Sequence, residues 1–588
     1  MKPLNLIPSG SFLFLAAFIC SALFSPSRLS AQIHYTWVGG GGFWSTPANW
    51  FPAGIPGPSD SATIASGTPL LDASASVSNL VLSASNGGIS GGAQAFLTVL
   101  HSGSWSAGSI TRVRMTIAPE CTFVFEGGAK SYTGGAVTNQ GTIRWNSGAL
   151  SLENNQYFMN RKDGLIEVTF GGAWLQNGAG TSILHNEGTY VKTGSDSTNS
   201  IRVVSFINSG TVRAADRGTI RFETRTFQTS GAGNGFVADD GAQIELPAGL
   251  YENTHFAGVG VKRLDTGNFQ ATLTGVISAT NLIYANGYCR GAATLDGTLE
   301  WRGGILSPNL TILPQSTLLL AGNGSKTLAN SGFITNAGTT RWIGGPFNLE
   351  NNSTFHNLPT GLFEVSVDGN LLQAGAGTST FRNEGVYRKT STRGTNTIQI
   401  VAFVQSGRLE VLTGTVRVVG NSTFSPGSVI RTRIGGPDPG QDFGQLQVTG
   451  SAALSGALEL ELANGFTPAT NQTFAILTCG SRTGTFSSFQ GGFIADGFYF
   501  RPSYTTAAVQ LEVINGVARL VSPTKLNGAF SSRIQGVING VYQIESSTNL
   551  VDWAPLGTTI IPIGGLATWT DPAPATLPLQ YYRAVFQP

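Results

Sequence analysis

Charged side chains are scarce in this sequence. Asp, Glu, Lys and Arg make up 11% of its 588 residues, against about 25% in an ordinary soluble protein. Coiled coils and helical bundles need charged outer faces, so the composition argues against both. The 34 basic and 32 acidic residues nearly balance, so no field that would bind nucleic acid is expected. Disorder is also excluded, because 41% of the residues are hydrophobic.

Cysteine and histidine are scarce as well. Besides Cys20, only Cys121, Cys289 and Cys479 are present, far apart in the chain. This pattern predicts neither a disulfide framework nor a zinc site. The histidines have no metal-ligand spacing, so neither a metal nor a cofactor is expected; they are His34, His101, His185, His255 and His356.

Residues 1–31 have the pattern of a secretory signal peptide. Lys2 precedes the apolar run 12–24, and small residues follow near Ser30 and Ala31. The run is shorter than the 18 to 20 or so residues that a membrane span needs. We therefore expect a mature chain that starts near Gln32, has no membrane span, and is secreted or associated with the cell surface.

An internal duplication is the strongest feature of the sequence. Residues 139–212 align without a gap with residues 336–409, and 37 of the 74 positions are identical. Chance does not produce such a match, so the chain contains two copies of one structural unit.

A shorter period lies inside each copy. In the first copy Asn recurs after 21, 26 and 22 residues, and the second copy repeats these steps; the positions are Asn139, Asn160, Asn186 and Asn208, then Asn336, Asn357, Asn383 and Gln405. A glycine and a short alternating stretch follow each position, as in a turn before a strand. We expect these asparagines at corners where the backbone needs positive φ.

Units of this length predict the coils of a β-solenoid. Each coil is expected to bury inward residues such as Ile143, Trp145, Leu152 and Phe158 against its neighbours. A propeller or a sandwich array is the alternative, but a propeller blade needs about 40 to 50 residues. The glycine count of 78 also suits an all-β chain.

Two regions resemble bacterial secreted proteins with autotransporter-like β-strand repeats. The opening segments are 37–44, Asn49-Trp50 and 56–60; the closing segments are 442–450, 454–458 and 474–477. The resemblance implies a right-handed parallel β-helix. No segment of the sequence resembles that family's translocator barrel, so we expect a general secretion route.

The tail resembles small C-terminal β-sandwich modules on secreted verrucomicrobial and planctomycete proteins. The matching segments are 542–547, 550–553, 568–571 and 581–583. The sequence thus predicts an all-β chain divided into a signal peptide (1–31), an N-terminal cap (32–70), a parallel β-helix (71–430), a closing β segment (431–515) and a β-sandwich (519–588).

Candidate catalytic residues are few. Asp239-Asp240 is the only adjacent acidic pair, and a polar turn accounts for it better than the paired carboxylates of a glycosidase. Six glutamates repeat at the same phase in both copies, which predicts a structural role; they are Glu153, Glu167 and Glu187, then Glu350, Glu364 and Glu384. Trp37, Trp44 and Trp50 are expected to cover the first open coil, with stacking on sugar rings as the alternative.

These observations predict no catalytic, cofactor-binding or metal-binding residues. The hypothesis is a non-catalytic secreted or cell-surface β-helix, adhesin-like or structural, with polysaccharide or matrix components as candidate partners. The alternative is a polysaccharide lyase or glycoside hydrolase on the same scaffold. A plain glycan-binding module that uses exposed aromatic residues is a third hypothesis.

Overall fold

The computed structural model describes residues 31–587 except 93–94, 232–234, 464, 496, 527–528 and 573–578. The predicted signal peptide lies outside the described residues, apart from its last position. Within the described ranges the chain is almost entirely β-structure, with one 3-10 helix at Pro47–Asn49.

The strands are short and follow one another closely. Strands β1–β12 are His34–Trp37, Gly41–Phe43, Trp50–Phe51, Ser61–Ile64, Thr68–Leu71, Ala75–Leu82, Gly88–Gly91, Phe96–Trp105, Gly108–Thr111, Arg114–Ile117, Thr122–Phe125 and Lys130–Thr133. Strands β13–β24 are Ala136–Asn139, Thr142–Trp145, Leu150–Glu153, Tyr157–Asn160, Leu165–Val168, Ala173–Gln176, Ile183–Asn186, Thr189–Lys192, Thr198–Arg202, Ser205–Asn208, Thr211–Ala214 and Thr219–Phe222. Strands β25–β31 are Thr226–Thr229, Gly235–Ala238, Gln243–Leu246, Gly249–Glu252, His255–Ala257, Val261–Trp301 and Gly304–Ile312.

The second half continues in the same way. Strands β32–β45 are Thr317–Leu320, Lys326–Leu328, Phe333–Asn336, Thr339–Trp342, Phe347–Glu350, Thr354–Asn357, Leu362–Val365, Asn370–Ala374, Thr380–Asn383, Val386–Lys389, Thr395–Gln399, Ala402–Gln405, Arg408–Val411 and Thr415–Val418. Strands β46–β60 are Ser422–Thr423, Val429–Ile434, Gln445–Leu454, Ala457–Leu462, Thr473–Gly484, Ser488–Gln490, Phe493–Ala495, Phe498–Tyr504, Ala508–Asn515, Arg519–Leu526, Ala529–Gln535, Val541–Ser547, Ala554–Ile560, Leu566–Thr570 and Tyr581–Gln587.

Parallel pairing between successive coils makes the chain a β-solenoid, so the predicted fold class is confirmed. Through the first copy each strand pairs with the strand three positions later, so β13 pairs with β16 and β14 with β17. Each coil therefore contributes one strand to each of three faces. We call the face built from β10, β13, β16, β19 and β22 the first face.

The parallel ladder extends beyond the predicted helix at both ends. It starts with β1 on β4, so the segment 32–70, predicted as a cap, already contributes coil strands. It continues to β49 on β51, after which β52, β53 and β54 pair antiparallel. The tail forms two three-stranded antiparallel sheets, β55-β56-β59 and β58-β57-β60, around a small apolar cluster that also includes Ile514 of β54.

Inward-facing residues of all three faces form one continuous core. Ile143, Trp145, Leu152 and Phe158 are at most 1% exposed, as the alternation predicts. Burying a large apolar side chain contributes about 1.5 to 3 kcal/mol. Each such residue needs the coils above and below it, so stability depends on stacking.

The periodic asparagines do not occupy corners with positive φ, and that part of the prediction is wrong. In the first copy each is the last residue of a first-face strand and is buried. Asn139 donates through Nδ2 to Oδ1 of Asn160 (2.7 Å), Asn160 to Asn186 (2.8 Å), and Asn186 to Asn208 (2.8 Å). In-register stacking of identical amides gives the Oδ1 atom of each later member a donor inside the core. We call this chain of bonds the asparagine ladder.

The second copy repeats the ladder from Asn336 through Asn357 and Asn383 to Gln405, with distances of 2.8, 2.7 and 2.9 Å. The positive-φ asparagines are other residues; within the two copies they are Asn154-Asn155 and Asn351-Asn352, in the turns after β15 and β36.

Buried lysines stabilise several corners. Five lysines are at most 1% exposed: Lys130, Lys192, Lys262, Lys326 and Lys389. The ammonium group of Lys262 donates to the carbonyls of Ala257 (2.9 Å), Gly258 (2.6 Å) and Gly260 (2.8 Å). Burial lowers the pKa of Lys262 to about 8. The corner carbonyls turn inward, and the lysine supplies the donors that water would otherwise provide.

A buried carboxylate joins the last coils. The Glu410 side chain is 2% exposed and is surrounded by the guanidinium groups of Arg388, Arg408 and Arg431. Burial raises the pKa of Glu410, but hydrogen bonds from Arg388 and Arg408 outweigh it, and the net pKa is lowered. The Glu410 carboxylate therefore connects three neighbouring coils through its ion pairs with these arginines.

The cysteines are free thiols. Cys121 and Cys289 are buried, and Cys479 is half-buried. Burial raises the pKa of both Cys121 and Cys289 to about 12. They pack as small apolar side chains.

Candidate functional site

A groove of about 1450 Å³ crosses one corner of the solenoid. It lies where the chain passes from β24 to β25, from β27 to β28, and between positions 264 and 271 within β30. The connecting residues are 223–225, 247–248 and 265–270. Because the middle connection is the shortest, it is recessed between its two neighbours and forms the bottom of the groove.

The outer wall of the groove carries an exposed aromatic ring. Phe269 is 75% exposed, the largest exposed fraction of any phenylalanine among the described residues. It follows Gly267, whose φ of +55° turns the chain outward. The opposite side is apolar where Phe222 and Leu246 reach the groove from the core. An exposed ring beside an apolar strip suits the flat face of a sugar.

Three carboxylates line the groove, one from each of three successive coils. Glu245 pairs with Arg221 (2.5 Å), Asp265 with Arg263 (2.9 Å), and Glu223 with an arginine one coil earlier, Arg202 (3.0 Å). Each carboxylate is thus adjacent to a cation.

The arrangement suits hydrogen bonding to hydroxyl groups. The paired side chains place carboxylate lone pairs and guanidinium N–H donors next to one another along the groove. The Thr224 hydroxyl is buried in this wall and has no hydrogen-bond partner in the described part of the chain.

The predicted acidic pair lies outside this groove. Asp239 accepts from Nε (3.1 Å) and Nη2 (2.7 Å) of Arg213, and Asp240 is exposed next to Gly241, which has φ +71°. This is a turn held by one ion pair.

The repeated glutamates lie on the solenoid surface and link neighbouring coils. Arg144 pairs with Glu167 (2.9 Å) in the first copy, and Arg341 pairs with Glu364 (2.8 Å) in the second. Glu153 accepts from the Thr133 hydroxyl one coil earlier (3.3 Å). Glu187 pairs with Arg161 (3.5 Å) and Glu384 with His356 (3.0 Å), each one coil earlier, and Glu350 ends β36 as Glu153 ends β15.

The N-terminal tryptophans are not available to ligands. Trp37, Trp44 and Trp50 are each 2% exposed. The Trp50 ring packs edge-to-face on Trp37 at 5.1 Å and on Trp44 at 4.7 Å between centroids. Stacking of these rings on sugars would require the first coil to open.

The histidines are scattered. His185 hydrogen-bonds through Nδ1 to the Tyr157 hydroxyl (2.8 Å), and His356 through Nε2 to Glu384 (3.0 Å). Over the ranges that the structure covers, no three His, Cys, Asp or Glu side chains are grouped as metal ligands. Nor does any helix of these ranges have the length and hydropathy to cross a membrane.

Comparisons with known proteins give limited information. No protein-family model matches the sequence, and no curated protein matches it. Among solved structures, the crystal structure of the Haemophilus influenzae Hap adhesin matches with a TM-score of 0.28 and 10% identity. The match covers 77% of this chain and 64% of that one, so it spans less than two thirds of the adhesin structure. A likeness of this size carries no inference about function.

Sequence reasoning missed the groove. The signal that could have revealed it is the stretch Asp265–Gln270, which lengthens one corner and places a phenylalanine next to a Gly-Asn turn. That pattern departs from the short polar corners elsewhere.

Proposed function

We propose that this protein is a secreted or cell-surface binding rod, adhesin-like in role, that holds polysaccharide in the corner groove without cleaving it. The groove supports this proposal most directly. It combines an exposed ring, an apolar strip and paired charges along three coils, and its volume suits several sugar units rather than one.

The pairing of the groove carboxylates is the second support. Each has an arginine partner, as described above, so the lining offers hydrogen-bond donors and acceptors next to one another for the hydroxyl groups of a sugar.

Retention on immobilised polysaccharide tests the proposal. The mature chain, residues 32–588, is passed over columns of neutral polysaccharides such as dextran, cellulose and xylan, and the flow-through is assayed for reducing ends and unsaturated products. We expect retention on at least one matrix without product. Phe269→Ala should reduce the affinity about tenfold, as expected for loss of one stacking contact worth about 1 to 2 kcal/mol.

Phe51→Ala is the matched control. Phe51 is 70% exposed and lies far from the groove at the N-terminal end, so its removal changes overall exposed aromatic area by a similar amount. Equal loss in both variants, or retention on no matrix, contradicts the proposal.

Enzymatic cleavage is the second candidate, because three carboxylates meet in one groove. Released oligosaccharides that disappear in Glu245→Gln would establish it.

A further inference from the structure

A second recess, of about 640 Å³, lies on the first face, where β10, β13 and β16 stack, so it overlaps the first two coils of the asparagine ladder. Its shape follows from the strand register. Ala136 stands between Arg114 of the preceding coil and Tyr157 of the following coil. A methyl group between two long side chains leaves a hollow, and Gly134-Gly135 extend it toward the corner.

Two arginines line the recess without acidic partners. Arg112 and Arg114 are both exposed, and within the described ranges neither makes an ion pair. Arginines elsewhere on the solenoid surface are mostly paired, as Arg144 is with Glu167. The recess is therefore a local concentration of positive charge on a chain whose net charge is +2.

Arg114 is held at the rim by an aromatic contact. Its guanidinium group lies 5.5 Å from the centre of the Phe96 ring, which is a cation–π distance. Arg112 stands at the preceding turn, where the backbone has φ +57°. On the far wall, the Tyr157 hydroxyl is fixed by its bond to His185 (2.8 Å).

The second copy provides an internal reference. There the register places Phe333 between Asn309 and Thr354, at the positions of Ala136, Arg114 and Tyr157. The corner before it also has a positive φ at the matching position, Ser331 (φ +59°) in place of Gly134 (φ +63°), with a second one at Asn330 (φ +54°). The same face thus exists with a phenylalanine in place of Ala136 and without the cations.

We propose that this recess binds the anionic group of an acidic sugar, a carboxylate or a sulfate ester. The inference deepens the proposed function, on which it rests, by naming a ligand class for a second site. Two guanidinium groups offer the forked donors that planar or tetrahedral oxyanions need. Thr116 and Thr138, which also line the recess, offer hydroxyls to the neighbouring sugar oxygens.

The test measures affinity of the mature chain for polygalacturonate, dextran sulfate and uncharged dextran by affinity electrophoresis. Ala136→Phe fills the hollow with the side chain that the second copy carries, and Arg114→Gln removes one cation. Arg417→Gln is the control, because Arg417 is also exposed and has no ion-pair partner in the described residues. Thermal midpoints establish that all variants are folded.

We expect binding to polygalacturonate, to dextran sulfate or to both, and the stronger of the two identifies the anion. Ala136→Phe and Arg114→Gln should each weaken it about tenfold or more, while Arg417→Gln changes it less than about twofold. That loss corresponds to one charge-assisted hydrogen bond, about 1.5 to 3 kcal/mol. Higher salt should weaken the wild-type interaction.

Equal weakening in Arg417→Gln would overturn the proposal, because net charge alone would then explain binding. So would unchanged affinity in Ala136→Phe, or equally tight binding of polyglutamate or single-stranded DNA. Retention on uncharged matrices that depends on Phe269 but not on Ala136 separates the two sites. In that case the proposed function would stand even if the recess bound no acidic sugar.

Discussion

The asparagine ladder makes a position-dependent prediction about stability. The first member of each ladder has a buried Oδ1 atom without a partner, at Asn139 and at Asn336. The preceding coils place Ile117 and Ile312 at that level, and an isoleucine has no donor to offer. Each ladder therefore begins with one unsatisfied acceptor.

Replacing the first member by leucine should cost little through the ladder itself. Asn139→Leu removes the existing unsatisfied acceptor and creates another one at Asn160, so the number of unsatisfied acceptors stays the same. Asn160→Leu leaves the Oδ1 atom of Asn139 unsatisfied as before. It also removes the Nδ2 group that donates to Oδ1 of Asn186, so a second acceptor loses its partner. A buried unsatisfied polar group costs about 1 to 3 kcal/mol. Asn160→Leu should therefore be less stable than Asn139→Leu by that amount.

Urea unfolding of the mature chain, followed by fluorescence of buried tryptophans such as Trp145, measures the difference. The second copy serves as an independent replicate, with Asn336→Leu and Asn357→Leu as the matched pair. Solenoids unfold in parts, so the comparison is made on the transition midpoint of each pair and not on one global free energy. Equal midpoints within both pairs, or opposite orders in the two copies, would refute the reasoning.

Three further predictions concern buried ionisable groups. At pH 8 a thiol reagent should label Cys479 first in the native mature protein, because this thiol is only half-buried. Cys121 and Cys289 are buried, so the reagent should label them only after denaturant is added. Glu410→Gln should lower the free energy of unfolding by about 3 to 5 kcal/mol, because three arginines lose their shared carboxylate. The pKa of Glu410 is lowered in the fold, so its stabilising contribution is present above the ordinary glutamate pKa and is lost as the pH falls through the folded pKa. In urea titrations the stability of the variant should therefore fall less steeply with acid than that of the wild type. The pKa of Lys262 is about 8 in the fold and about 10.4 in the unfolded chain. Between these pH values the unfolded chain binds more protons, so the stability of the wild type relative to Lys262→Met should rise from pH 8 to pH 10 in thermal scans. A difference that does not change with pH would contradict the lowered pKa of Lys262.

Strand-level features could be predicted from the sequence because they depend on local alternation. The inward set Ile143, Trp145, Leu152 and Phe158 follows from the period of two in short stretches between turns. The coil length follows from the 21, 26 and 22 residue steps, which are also the separations of the hydrogen-bonded asparagines.

Features that depend on stacking between coils could not be predicted in the same way. An asparagine followed closely by a glycine favours a corner with positive φ. The same residue at the same phase of every coil is also the pattern of a hydrogen-bonded ladder inside the core. Lys262 gave no signal, because burial of an ammonium depends on carbonyls that only the folded corner brings together. The groove and the recess likewise depend on which side chains become neighbours across coils, as Ala136 does between Arg114 and Tyr157.

The parallel ladder has a mechanical consequence. Its backbone hydrogen bonds run along the rod, since each strand bonds to the coil before and the coil after it. A pulling force applied to the two chain ends therefore opens one coil at a time, like a zipper, instead of shearing many bonds at once. Such a rod would lengthen in small steps under load and absorb work while its remaining coils, and whatever they hold, stay attached.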